Sequence, residues 1–240
     1  MYEPTGDNIW GRLTDYLEIA FRYLVLNLAW FALTLPFMAV FFLILRYLFD
    51  METYPWTLIP IPVVLASPAL GGLFYATNQL AHDKDGSLGV FWEGVKTYLW
   101  PSYRWGFLNL LVAFLLNVNI WFYENVDWAI APYVRIVFIV ISVFWSTLQI
   151  YTFPFLIEQE KPLLTMSLRN SLVATARFPL RSFGLAFLLA VIAVVSTLLF
   201  LPLWFFITMS LITYLSNRNT LSVLKKLFAL EQKNTEVQEE

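Results

Sequence analysis

Few residues in this chain could support acid–base or metal chemistry, and they are scattered. The 240 residues include no Cys and one His, His82, which lies in the polar stretch 81–86, Ala-His-Asp-Lys-Asp-Gly. Asp83 and Asp85 resemble the start of a calcium loop, but the downstream ligands that such a loop requires are absent. We interpret the stretch as a polar turn at a membrane exit, and no metal site is predicted.

A second acidic pair, Glu158 and Glu160, could in principle perform general acid–base catalysis. Its neighbours Lys161 and Pro162 are typical of a solvated loop. The sequence contains no P-loop, no Gly-rich nucleotide fingerprint and no assignable Ser or Cys triad. We therefore predict no catalytic residue and no bound cofactor, and an intramembrane enzyme is the least favoured functional hypothesis.

The remaining chemical candidates are amide side chains within long apolar stretches. Asn27, Asn109 and Gln149 are expected to lie deepest. Such groups commonly hydrogen-bond neighbouring helices, at about 0.6 kcal/mol each, and structural bonding is the favoured interpretation here. They could instead line a water-filled path. That alternative makes the chain a self-contained small transporter or channel, in which replacing one of these amides by Leu alters flux.

Composition places the elements that carry these residues in a membrane. Hydrophobic residues make up 59% of the chain and charged residues 13%, and the mean hydropathy is +0.66. Soluble domains carry about 25% charged residues. The lipid bilayer is therefore the first predicted partner, whereas a net charge of −2 offers nothing for nucleic acid to bind.

Charge-free stretches define the predicted spans, since a helix needs about 20 apolar residues to cross a bilayer. Five such stretches occur, and the last, 182–217, has 36 residues. A single helix of that length would measure about 54 Å, whereas the hydrocarbon core is about 30 Å thick. The stretch is therefore either one overlong helix or two short helices joined by a turn near Pro202.

The distribution of basic residues favours six spans, because cytoplasmic loops collect Lys and Arg. With the N-terminus inside, 13 of the 15 basic residues are cytoplasmic, and Arg46 and Arg135 are the exceptions. We predict an all-α, six-span transmembrane bundle whose last two spans are short or partly re-entrant. The chain forms a single integral membrane domain, 1–240, with cytoplasmic ends at 1–22 and 218–240. The spans are predicted at about 23–45, 57–81, 105–123, 132–157, 182–200 and 203–217.

Two cytoplasmic connections have the pattern of amphipathic helices. In the first, around 88–100, apolar residues follow helical spacing, and in the second, around 163–177, Leu164, Leu168, Leu172 and Ala176 repeat every four residues. Such helices usually lie in the headgroup plane, but one of them could instead bind a cytoplasmic partner. The candidate partner-docking residues are Phe91, Trp92, Lys96, Arg169, Arg177 and Arg181.

A faint internal repeat relates these two regions. Pro101 and Gly106 recur 78 residues later as Pro179 and Gly184. In each copy an amphipathic stretch ends at the Pro, and a span begins near the Gly. Both copies enter the membrane from the same side, so the predicted repeat is parallel rather than inverted.

Several segments together resemble the YesL-like family of bacterial integral membrane proteins, a domain of unknown function. The resemblance covers nearly the whole chain, with one departure at His82, where family members tend to have a basic residue. The matching segments are 26–30 (LNLAW), 67–69 (SPA), Phe91-Trp92 with Lys96, 151–154 (YTFP) and 178–181 (FPLR).

The resemblance implies a compact helical bundle in the bacterial cytoplasmic membrane. Members of the family are often encoded near sugar-uptake transporters of the ATP-binding-cassette type, and no catalytic or binding residue is assigned in them. The expected function is therefore an accessory or regulatory component associated with carbohydrate uptake. The expected protein partner is an ATP-binding-cassette sugar transporter, and a homo-oligomer is the alternative.

Overall fold

The computed structural model describes residues 9–48, 67–199 and 202–239, and these ranges contain eight α-helices and no strand. The predicted all-α class is confirmed for this part of the chain. The elements are α1 (Ile9–Leu48), α2 (Ser67–Ala81), α3 (Leu88–Thr97), α4 (Leu99–Asn125), α5 (Ala131–Ile157), α6 (Leu164–Arg177), α7 (Pro179–Leu199), a π-helical segment (Trp204–Thr208) and α8 (Met209–Glu239).

Four helices are long and apolar enough to cross a membrane. They comprise Leu17–Ile44 within α1, Leu99–Asn125, Ala131–Ile157 and Pro179–Leu198 within α7. Large apolar side chains on these helices remain exposed in the bundle. Such surfaces are costly in water but suit hydrocarbon, so the four helices indicate a membrane protein.

Helix α2 lies at the centre of the bundle. Of the predicted second span, residues 57–66 fall outside the described residues, and the described part has 15 residues, of which 11 are buried. It packs against α1, α3, α4, α5 and α8. A helix that is buried on all sides belongs to the core rather than to the lipid-facing ring.

The overlong apolar stretch at the C-terminal side forms two helices. Thr197 of α7 accepts a bond from the Trp204 indole at 3.0 Å, and Ser196 lies 2.9 Å from Thr208. Near the other end of α7, Arg181 bonds Asn219 of α8. The two helices are therefore antiparallel, and the chain reverses close to Pro202. Helix α8 continues well past residue 217, the predicted end of the last span.

The structure contains the helical plan that the sequence repeat predicts. In each of the sets α2–α4 and α5–α7, a shorter helix, α3 or α6, is followed by a long apolar helix, α4 or α7. One non-helical residue separates the last two helices of each set, Tyr98 in the first and Phe178 in the second. The N–H of Tyr98 bonds Gly94 O, and the N–H of Phe178 bonds Ala174 O.

The connections predicted to be cytoplasmic meet at one end of the bundle. The imidazole of His82, just after α2, lies 3.0 Å from the carboxylate of Glu158, just after α5. The helices that follow, α3 and α6, begin here, and we call this the α3/α6 end. At the opposite end, Glu124 and Arg135 form an ion pair of 3.1 Å beside the α4–α5 loop.

Candidate functional site

The buried amide of Asn27 joins α1 to the π-helical segment. Its Nδ2 donates to the carbonyl oxygens of Trp204 and Phe205 at 2.7 and 2.8 Å. Its Oδ1 accepts the N–H of Ser210 at 2.9 Å. A π-helical turn disturbs the regular helical hydrogen bonds. Asn27 satisfies backbone groups at this site, so both ends of its amide bond within the protein.

The other two deep amides, Asn109 and Gln149, lie together between α4 and α5. Asn109 Nδ2 donates to Gln149 Oε1 at 3.2 Å, and the Trp105 indole donates to the same oxygen at 2.9 Å. The Trp145 indole donates to Asn109 Oδ1 at 3.0 Å. The four side chains clamp α4 to α5. Gln149 Nε2 is buried and has no hydrogen-bond partner among the described residues.

Helix α8 contributes two amides, Asn217 and Asn219, that are not among the three predicted to lie deepest. Asn217 Nδ2 donates to Phe74 O and to Thr77 Oγ1, both at 2.9 Å, and so ties α8 to α2. Asn219 Nδ2 donates to the Tyr151 hydroxyl of α5 at 2.8 Å. These positions flank Arg218, with Asn217 at the end of the predicted sixth span and Asn219 in the predicted cytoplasmic tail. Their spacing of two gave no helical-face signal.

Arg181, one of the candidate docking residues, belongs to this α8 cluster. Its Nε donates to Asn219 Oδ1 at 2.5 Å. The neighbouring Ser182 is buried and lies 3.0 Å from the Tyr151 hydroxyl. The start of α7 is therefore fixed against α5 and α8 by polar contacts, and Arg181 helps to position that junction.

Glu158 and His82, which the sequence places 76 residues apart, form a polar latch with Asn78. Asn78 Nδ2 donates to Glu158 Oε1 at 2.6 Å, and His82 Nε2 lies 3.0 Å from the same oxygen. Glu158 therefore links the ends of α2 and α5. Glu160 is exposed to solvent outside the latch. Within the described ranges, no three His, Cys, Asp or Glu side chains are grouped as metal ligands.

Tyr98, the residue between α3 and α4, lies beside this latch. Its ring is buried, and its hydroxyl is 3.4 Å from Ile157 O. Burial raises the pKa of Tyr98 to about 12, with smaller contributions from Tyr75 and from the negative charges of Glu158 and Glu93. Tyr98 is therefore neutral at physiological pH. Its side chain contributes a buried apolar ring and a hydroxyl that can hydrogen-bond.

The candidate docking residues of α3 face in two directions. Phe91 is fully buried against α2, where Gly72 permits close approach, and a Cβ at Gly72 would lie 2.8 Å from Phe91 O. Trp92 is 48% exposed, and Lys96 is also exposed. Phe91 therefore holds α3 in place, whereas Trp92 and Lys96 form its outward surface.

Helix α6 packs on α5 through small residues, and Leu164 at its start is partly buried against the core. Ser167, Ser171 and Ala174 are fully buried. Ser171 Oγ lies 3.2 Å from Thr152 Oγ1 of α5. Small residues let two helices approach closely in a membrane, which explains why the small polar face points inward.

The outward face of α6 combines basic and apolar side chains. Arg169 and Arg177 are exposed there, together with Met166, Leu172 and Val173. Leu172 of the predicted apolar stripe therefore points away from the bundle. A helix with basic and large apolar residues on one exposed surface is suited to a membrane interface or to a partner helix.

No protein-family model, no curated protein and no solved structure matches the chain. The assignment of these surfaces therefore depends on the geometry of the chain's own residues, and the YesL-like resemblance stays a prediction.

Proposed function

We propose that the chain is an accessory or regulatory membrane component associated with carbohydrate uptake, and that a partner binds the outward faces of α3 and α6. The observation that supports this proposal is the exposure of Trp92, Lys96, Arg169 and Arg177 on two short helices that begin at the same end. Interfaces are enriched in Trp and Arg. The link to an ATP-binding-cassette sugar transporter derives from the YesL-like resemblance.

The proposed topology has six spans in the bacterial cytoplasmic membrane, with both termini cytoplasmic. The second span stays proposed at about 57–81, of which the structure describes α2 (Ser67–Ala81), and the antiparallel pair of α7 and α8 supplies the last two crossings. Arg22, Lys84 and Arg218 line one cleft at the α3/α6 end, whereas Arg46 lies in the last turn of α1. The positive-inside rule then makes the α3/α6 end cytoplasmic.

A variant series tests the docking surface. Trp92→Ala and Arg177→Glu are expected to reduce recovery of the transporter with the tagged chain, since a central interface Trp contributes about 2 kcal/mol, or roughly 30-fold in affinity. The matched controls, Trp128→Ala and Arg46→Glu, change exposed residues away from the α3/α6 end. Each variant is first checked for an unchanged melting temperature in detergent. Full recovery with both docking variants would contradict the assignment.

A second candidate function, a self-contained small transporter or channel, has one observation in its favour. Gln149 Nε2 is a buried donor with no bond among the described residues, and such a donor could bind a solute. Proteoliposomes subjected to a glucose gradient test this candidate by light scattering. If the chain is an accessory component, the proteoliposomes should be no more permeable to glucose than liposomes without protein. Glucose flux that Gln149→Leu abolishes and Asn119→Leu retains would favour the channel, since Asn119 bonds its own helix at Leu115 O.

A further inference from the structure

A polar cleft opens between α1, the turn after α2, and α8 at the α3/α6 end. Its volume is about 220 Å³. Helix α1 contributes Glu18, Arg22 and Tyr23, the turn contributes Asp83 and Lys84, and α8 contributes Tyr214 and Arg218. We call it the α1/α8 cleft. It is separate from the outward faces of α3 and α6 and from the Glu158 latch.

The α1/α8 cleft has one more cation than it has carboxylates, because Arg22, Lys84 and Arg218 lie with Glu18 and Asp83. The charge of Asp83 also acts on Arg218. Arg22 is paired with Glu18 at 2.7 Å. Arg218 donates from one nitrogen to the Tyr214 hydroxyl at 2.6 Å and has its guanidinium 5.9 Å from the centre of that ring. Neither Arg218 nor Lys84 forms an ion pair with a described residue. The Tyr214 contact orients Arg218 and leaves its other N–H donors available.

The position of the α1/α8 cleft relates it to the membrane surface. Glu18 and Arg22 lie in the first two turns of the apolar segment Leu17–Ile44. In the cleft itself, Ile19 of the same helix is 44% exposed, which provides an apolar surface for acyl chains beside the charged groups. The cationic groups therefore lie where an apolar helix surface meets polar residues, which is the level of lipid headgroups.

We propose that the α1/α8 cleft binds a phosphate group, presented by a phospholipid in the leaflet at the α3/α6 end. Arg218 donates through its planar guanidinium to two phosphate oxygens, the geometry in which Arg binds phosphate best. Lys84 supplies a second positive charge from the facing turn. The acyl chains of the lipid lie along the exposed apolar surface of α1, and Asp83 at the rim accepts hydrogen bonds from headgroup hydroxyls.

Native mass spectrometry of the full chain in detergent, titrated with phosphatidylglycerol, tests the site. Arg218→Gln and Lys84→Gln are each expected to weaken binding about fivefold, since one basic residue near a membrane surface contributes about 1 kcal/mol. Lys225→Gln, which removes an exposed charge on α8 outside the cleft, is expected to leave binding unchanged. Melting temperatures establish that each variant is folded. Arg218→Lys keeps the positive charge but removes the planar guanidinium, and so tests whether that geometry is needed.

Two further probes identify the ligand. Diacylglycerol with the same acyl chains lacks the phosphate and is expected to bind at least about fivefold more weakly. Inorganic phosphate lacks the acyl chains and is expected not to displace the lipid at millimolar concentration. Equal binding of diacylglycerol, or equal losses in the Arg218 and Lys225 variants, would overturn the phosphate site. Displacement by inorganic phosphate would overturn the lipid as its source.

Discussion

Buried amides at single positions hold the helices of this bundle together. Asn27 connects α1 to the π-helical segment, and Asn217 connects α8 to α2. In hydrocarbon an unsatisfied polar group is costly, so an amide that bonds across helices fixes their register. Asn27 could be predicted from the sequence because it lies inside a charge-free stretch. Asn217 and the Glu158–His82 pair could not, since Asn217 is the last residue of its charge-free stretch and adjoins Arg218, whereas Glu158 and His82 lie outside such stretches.

At the residue scale, Asn27→Leu should destabilise the fold. The change removes three hydrogen bonds at about 0.6 kcal/mol each, so the free energy of unfolding should fall by about 2 kcal/mol. Unfolding in mixed SDS and detergent micelles, followed by Trp fluorescence, measures it. Asn117→Leu is the matched control, because Asn117 is exposed and bonds the carbonyl of Ala113 in its own helix. Equal effects of the two changes would refute the role of Asn27.

Tyr98 makes stability depend on pH in the alkaline range. Its pKa is raised from 10.0 to about 12 in the folded chain, so the unfolded state loses this proton first. The stabilisation from neutral Tyr98 is complete below pH 10 and is lost as the pH rises toward 12. Tyr98→Phe should flatten the decline in melting temperature over this range, whereas Tyr133→Phe, at an exposed ring, should not. An unchanged decline in Tyr98→Phe would count against the buried, neutral phenol.

At the scale of elements, helices pack closely where small residues lie at the contact. Helix α3 lies so near α2 that a Cβ at Gly72 would be 2.5 Å from Val95 Cγ2. Helix α6 likewise turns its serines toward α5 and its larger side chains outward. The sequence predicts that both helices are amphipathic but does not predict which face of α6 lies against the bundle. In a membrane, lipid covers apolar surfaces as well as a protein core does, so the apolar stripe does not identify the inward face.

A pair of glycine substitutions tests this packing. Gly72→Ala should lower the free energy of unfolding by about 1–3 kcal/mol, because the added methyl group overpacks the contact between α2 and α3. Gly184→Ala should leave it unchanged or raise it by up to about 1 kcal/mol, since a Cβ there meets nothing within 4 Å. The same unfolding assay in mixed SDS and detergent micelles measures the free energy of unfolding of both variants. A neutral Gly72→Ala would show that α3 does not lie this close to α2.

At the scale of the whole molecule, two sets of three helices, α2–α4 and α5–α7, follow one another. The sets contact each other directly, with α4 against α5, and both contact α8. Charge-free stretches predict α4, α5 and α7 well, because length and apolarity alone define them. They do not predict that α8 continues to Glu239, since its later residues are polar and its contacts with α2 and α5 decide its course. The meeting of distant connections at the α3/α6 end is likewise a tertiary property.

The topology can be tested directly because the chain has no Cys. With the α3/α6 end cytoplasmic, Asp127→Cys in the α4–α5 loop should react with a membrane-impermeant maleimide in intact cells. Gln232→Cys, in the last part of α8, should react with the same reagent only after the cells are lysed. Labelling of Gln232→Cys in intact cells would place the C-terminus outside and remove the docking surface from the cytoplasm.

Affinity purification of the tagged chain from native bacterial membranes, in mild detergent with mass spectrometry, tests the proposed accessory function most directly. We expect stoichiometric recovery of the permease or the ATPase of an ATP-binding-cassette sugar transporter. We also expect loss of that partner in Trp92→Ala and its retention in Trp128→Ala. Recovery of the chain alone, or as a homo-oligomer, would contradict the accessory function.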